Sequence, residues 1–85
     1  MDDVIRTVKE YILETFLPGE DPSHVTPTTP LISGGILDSL ATLELVSFLE
    51  SRYGIQLEAQ DVDASRLGTL NDIAALVRSK QVAAT

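Results

Sequence analysis

The sequence predicts an all-α fold: a small four-helix bundle of three main helices and one short one, with a long loop between helices 1 and 2. Three observations carry that expectation. Apolar residues recur at helical spacing in three windows, 3–17, 39–53 and 69–80. All four prolines, Pro18, Pro22, Pro27 and Pro30, fall between the first two windows, too closely spaced for a helix to run through them. The chain has 85 residues, 44% of them hydrophobic. That suffices for one small core and leaves no room for a deep enclosed active site.

In the first window Val4, Ile5, Val8, Ile12 and Phe16 share a face, with Tyr11 beside them. Asp2 or Asp3 can cap its start. Arg6 and Glu10 lie four apart and attract, whereas Glu10 and Glu14 repel. Pro18-Gly19 ends the helix. At this spacing Tyr11 is a core residue rather than a functional phenol. Residues 18–38 then form a connection that is long for so small a domain. Leu31, Ile32, Ile36 and Leu37 give it apolar anchors, so it is expected to wrap one end of the bundle and bring Ser39 to the surface. His24, the single histidine, sits among Asp21, Pro22 and Ser23 and reads as a solvated side chain.

The second helix is expected over 39–53. Thr42, Leu45, Val46, Leu49 and Tyr53 face inward at helical spacing, and Leu40, Leu43, Glu44, Ser47, Glu50 and Ser51 face outward. Gly54 is a natural C-terminal cap. A short helix over Asp61–Ser65 follows, with Val62 and Leu67 inward. Thr69 caps the last helix, with Asp72 three residues on as in a capping box. Leu70, Ile73, Ala74 and Val77 make its buried face, and Arg78 and Lys80 suit the C-terminal end of its dipole. Residues 81–85 are expected to fray. The whole chain, 1–85, reads as one domain with its core at about 3–80.

Charge and cysteine content narrow the function. Thirteen acidic residues against six basic ones give a net charge of −7. Phosphate-rich nucleic acid and anionic membrane surfaces repel such a chain, and partners with basic patches attract it. There is no cysteine, which excludes disulfides, thiolate catalysis and cysteine-bound zinc. Met1-Asp2-Asp3 lacks the basic and apolar regions of a signal peptide, and no apolar run has membrane-spanning length. A cytoplasmic protein is expected.

Several chemistries find no support. Ser39, His24 and Asp38 are the residue types of a hydrolase triad, but Asp38 adjoins Ser39 and cannot readily orient a histidine acting on that serine. Asp61, Asp63 and Ser65 alternate as in a calcium loop, with Asp72 eleven residues after Asp61. The glycine such a loop needs is Arg66 here, and its final glutamate is Asp72. No metal site and no catalytic residue is therefore assigned.

One stretch remains, Gly34-Gly35-Ile36-Leu37-Asp38-Ser39-Leu40. Asp38 and Ser39 are both able to cap a helix. Ser39 is expected at a loop-to-helix junction, hydroxyl outward, beside unpaired N–H groups that favour a phosphate. The string Gly35-Ile36-Leu37-Asp38-Ser39-Leu40, continued by Leu43-Glu44-Leu45-Val46 and Phe48-Leu49-Glu50, resembles the phosphopantetheine attachment motif of acyl and peptidyl (aminoacyl) carrier proteins. The resemblance covers about residues 1–80.

It implies an acyl-carrier-protein-like bundle and a stand-alone carrier. A phosphopantetheinyl transferase would place a covalent 4′-phosphopantetheine arm from coenzyme A on Ser39. The arm's thiol would hold acyl or aminoacyl groups as thioesters between a loading ligase and a downstream transferase or synthase. Asp38 would help position the transferase, and Leu40, Leu43, Glu44 and Glu50 would form the docking surface. A monomer is expected. Ala41, Ser47, Ser51 and Arg52 thin the acidic charge usual in fatty-acid carriers, so a dedicated pathway fits better. The alternative is an unmodified acidic helical adaptor that binds partners through the second helix.

Overall fold

The computed structural model describes residues 3–62 and 64–84. Asp2 as a cap, Asp63 of the calcium-like string and Thr85 of the tail lie outside the described residues. Among the described residues the elements are all helical: α1 (Asp3–Phe16), a 3₁₀ turn (Pro22–His24), α2 (Ser39–Tyr53), a second 3₁₀ turn (Ala59–Asp61), α3 (Ala64–Leu67) and α4 (Leu70–Ala84). Among the described residues no helix is long and apolar enough to cross a membrane.

Helix α4 is the element the others pack on: α1, α2 and α3 all lie against it. Its buried face is Leu70, Ile73, Ala74, Leu76 and Val77. Leu76 widens the stripe beyond the expected four residues, as a helix surrounded on several sides requires. Thr69 caps it as expected, its hydroxyl accepting the Asp72 N–H at 3.1 Å. The helix does not stop near Lys80 but runs on to Ala84. Gln81, Ala83 and Ala84 are good helix formers, and no glycine or proline interrupts them. Lys80 is thus not a terminal charge facing the dipole. Its ammonium meets Asp61 at 2.9 Å.

Val8 and Ile12 are the fully buried residues of α1, with Val4, Ile5, Leu13 and Phe16 partly buried around them. Arg6 pairs with Asp3 at 3.0 Å, one turn back, rather than forward with Glu10 as the four-residue spacing suggests. Tyr11 ties α1 to α2. Its ring stacks on Phe48 at 4.0 Å, meets Phe16 edge-on at 5.7 Å, and its hydroxyl donates to the Glu44 carbonyl at 3.3 Å. Burial, together with the neighbouring Glu44 charge, raises the Tyr11 pKa above the usual phenol value.

The long loop is pinned at three buried side chains, Val25, Leu31 and Leu37, while Ile32 and Ile36 are half-buried. Backbone bonds tie it to the start of α4: Leu31 N–H donates to the Gly68 carbonyl at 2.7 Å, and Asn71 N–H to the Pro27 carbonyl at 3.1 Å. Thr29 closes the Thr26–Thr29 turn, its hydroxyl accepting the Thr26 N–H at 2.8 Å. These contacts account for so long a connection in so small a fold: it is a strap fastened to α4. His24 is exposed and its ring pairs with Glu20.

Candidate functional site

The strap ends in two glycines that serve different needs. A side chain on Gly34 would put its Cβ 2.3 Å from the Pro30 carbonyl oxygen, so the backbone approach itself demands glycine. Gly35 has φ +82, the left-handed region. The turn lets Leu37 N–H return to the Leu31 carbonyl at 2.9 Å and seats the Leu37 side chain in the core. The next two residues must therefore leave the core at the mouth of α2.

Asp38 is the N-cap. Its backbone is extended (φ −88, ψ −173), and its carboxylate accepts the Ala41 N–H at 2.7 Å. Its carbonyl accepts both the Thr42 N–H at 2.9 Å and the Thr42 hydroxyl at 2.7 Å. The N-cap side chain is therefore Asp38 and not Ser39. Ser39 is the first residue of α2, exposed, and its hydroxyl makes no hydrogen bond among the described residues. The N–H groups of Ser39 and Leu40 likewise have no protein acceptor there. A helix mouth with open donors carries a partial positive charge that suits a phosphate oxygen.

Beside Ser39 lies an open groove of about 510 Å³ lined by Ile32, Leu37, Asp38, Thr42, Leu43 and Val62. Residue chemistry alone did not reveal it, because its walls come from the strap, from α2 and from the stretch after the second 3₁₀ turn. Thr42 was legible as an inward residue, and it is buried. Its hydroxyl four residues after Asp38 is the usual back-bonding distance for a helical threonine, a signal that could have placed it in the cap. Val46 and Tyr53 are half-buried, and Ala41 takes the buried position instead.

The expected docking residues separate into two groups. Leu40 and Leu43 are 67% and 59% exposed, large apolar side chains three residues apart and so neighbours on one face of α2. Glu44 is exposed one residue further on. Leu43 also lines the groove together with Leu37. Glu50 is placed differently: it is half-buried, and one carboxylate oxygen accepts the Leu57 N–H at 2.9 Å. It ties the chain after α2 back to that helix. His24 is engaged with Glu20, and Asp38 with Ala41. Asp61 of the calcium-like string accepts the Glu58 N–H at 3.0 Å and meets Lys80.

A family model for phosphopantetheine attachment sites matches residues 7–77, most of the chain and the whole of this junction. The chain belongs to that carrier family. The acyl carrier protein of Thermotoga maritima is 32% identical over 79 residues, which span 93% of each chain. The meromycolate extension acyl carrier protein of Mycobacterium bovis is 29% identical over 77 residues, 91% of this chain and 64% of that one. Its counterpart in Mycolicibacterium smegmatis is 30% identical over 77 residues, 91% of this chain and 74% of that one.

Carriers of this family hold a group for other enzymes and are not enzymes themselves. Their prosthetic group is 4′-phosphopantetheine, and the carrier's chemistry fits this chain, which has no thiol of its own. The residues at the mouth of α2 fit such a group: an uncommitted hydroxyl, two open N–H donors for a phosphodiester and an apolar groove alongside.

Proposed function

We propose that Ser39 is the attachment residue and that residues 1–85 act as one carrier domain for a dedicated biosynthetic pathway. The observation that carries this reading is the division of labour at the junction. Asp38 does the capping, so the Ser39 hydroxyl is left for chemistry. An adaptor that needed only a folded helix could use Ser39 itself as the cap. When bound, the arm supplies the thiol on which an acyl or aminoacyl group is held as a thioester. The chain's own residues would do the rest. Ser39 Oγ would attack the pantetheine-bearing phosphorus of coenzyme A, its proton passing to the transferase as 3′,5′-ADP leaves. The open Ser39 and Leu40 N–H groups would be available to the phosphate, and Asp38 holds the turn.

In this reading Leu40, Leu43 and Glu44 form the patch that meets a phosphopantetheinyl transferase, a loading ligase and a downstream transferase or synthase. Two exposed leucines beside an acidic residue suit a partner with an apolar pocket rimmed by basic side chains. Glu50 contributes charge at the far end of the same helix, although one of its oxygens is committed to Leu57. The carrier works as a cytoplasmic monomer. Peptide mapping by mass spectrometry, after co-expression with a broad-specificity transferase, tests the assignment. The arm is expected on the fragment containing Ser39, and an arm on any other serine or threonine overturns it.

A further inference from the structure

The groove beside Ser39 has one wall built from the stretch between α2 and α4. Ile32 and Leu37 are fixed by the strap, and Thr42 and Leu43 by α2. Among the described residues Val62 is the lining residue from the stretch between α2 and α4, and it lies just after the Ala59–Asp61 turn. Side-chain bonds hold that stretch at both ends. At the near end Glu50 of α2 accepts the Leu57 N–H at 2.9 Å. At the far end Asp61, 4% exposed, accepts the Glu58 N–H at 3.0 Å and the Lys80 ammonium at 2.9 Å on the same oxygen. Asp61 N–H returns to the Glu58 carbonyl at 2.9 Å, so the turn is closed in both directions. Lys80, three-quarters buried, is the only link in this set that reaches from the turn to α4, the element at the centre of the fold.

From this we infer that Lys80 and Asp61 are positioning residues for the groove: by anchoring the 58–61 turn to α4 they hold Val62 in place beside Ser39 and so set how closely the groove covers a group carried there. The inference rests on the Ser39 reading. A merely structural ion pair would stabilise α4 without changing what happens at Ser39. A positioning pair must change the environment of a carried group when it is cut, and do so through Val62. Removing the ammonium takes away the ion pair that ties Asp61 to α4 and leaves the Glu58 N–H on the Asp61 carboxylate.

The test uses the full chain loaded with a hexanoyl group on its arm, in the wild type, Lys80→Met, Lys80→Arg and Val62→Ala. The readout is the rate at which hydroxylamine cleaves the thioester, followed by intact mass. Cleavage is expected to rise about threefold or more in Lys80→Met and in Val62→Ala, and to return toward the wild-type rate in Lys80→Arg. Amide exchange in the unloaded proteins should rise at Glu58–Val62 in Lys80→Met and stay unchanged at Val8 and Leu45. Val62→Ala leaves the ion pair intact and keeps the test decisive if Lys80→Met does not fold. Equal cleavage rates in wild type and Val62→Ala, or faster exchange in Lys80→Met with no change in cleavage, overturn the inference while leaving Ser39 as the attachment residue. A wild-type chain that gains no arm overturns both.

Discussion

Asp38 and Ser39 are neighbours in different surroundings, the one bonded to the Ala41 N–H and the other exposed, and their variants should behave differently. Asp38→Ala removes the side chain that accepts the Ala41 N–H. It should lower stability by about 1 kcal/mol, the usual worth of an N-cap. Ser39→Ala removes a hydroxyl with no partner among the described residues. It should change stability by no more than about 0.5 kcal/mol, as surface substitutions do. Urea melts of the two variants measure both. A Ser39→Ala loss as large as that of Asp38→Ala would mean the serine shares the cap. The sequence showed two residues able to cap and an apolar run after them. It could not assign the duty, because that depends on which side chain the backbone turns toward the Ala41 N–H. The groove was less legible still, since Val62 reaches Ser39 only through the packing of the 58–62 stretch.

At the scale of elements, α1, α2 and their inward faces follow from periodicity, and Gly54 ends α2 with φ +63 as a terminal glycine should. Helix α4 runs past the expected end at residue 80; Arg78 and Lys80, two basic residues close together, look like a helix end in the sequence. Lys80 in fact looks sideways to Asp61, a partner 19 positions away that no local pattern reveals. The strap was the hardest element to read, since its fastening to Gly68 and Asn71 is backbone chemistry that side-chain patterns do not encode. Its tightest point is Gly34. Gly34→Ala should cost about 1–3 kcal/mol, because a backbone carbonyl would have to move. A thermal midpoint equal to the wild type would show that the strap yields there.

The strap also carries a titrating clasp. Its hydrogen bond and ion pair with Glu20, aided by the nearby Asp21 charge, raise the His24 pKa above its ordinary 6.5. A raised pKa means the folded state favours the protonated ring. The clasp therefore adds stability that is fully present below about pH 6.5 and is lost as pH rises through the folded value. The gap in thermal midpoint between wild type and His24→Gln should be widest near pH 6 and close in alkaline buffer. A gap that is constant with pH would remove the clasp from the account. Asp61 has the opposite sign. The Glu58 N–H and then Lys80 lower its pKa below the ordinary 3.8, so its contribution is present at neutral pH and fades as pH falls through that lowered value.

For the whole molecule, net charge and shape decide how the carrier is met by its partners. In the proposed reading, a chain of charge −7 with two leucines exposed at the mouth of α2 would approach a basic surface under long-range attraction and be held there by apolar contact. Arm transfer at low carrier concentration should slow as salt is raised from about 0.05 to 0.5 M, since the Debye length shrinks below the distances over which such attraction acts. A salt-independent rate would place recognition in the apolar contact alone. The radius of gyration, 11.9 Å, leaves little interior beyond the packed core, so chemistry at the surface is the only kind the fold offers. The central claim is that this surface chemistry belongs to one hydroxyl. Its most direct measurement is intact mass after incubation of folded wild type and Ser39→Ala with coenzyme A and a competent phosphopantetheinyl transferase. The account predicts one added 4′-phosphopantetheine on the wild type and none on the variant; an unchanged wild-type mass, or the same gain on both, contradicts it.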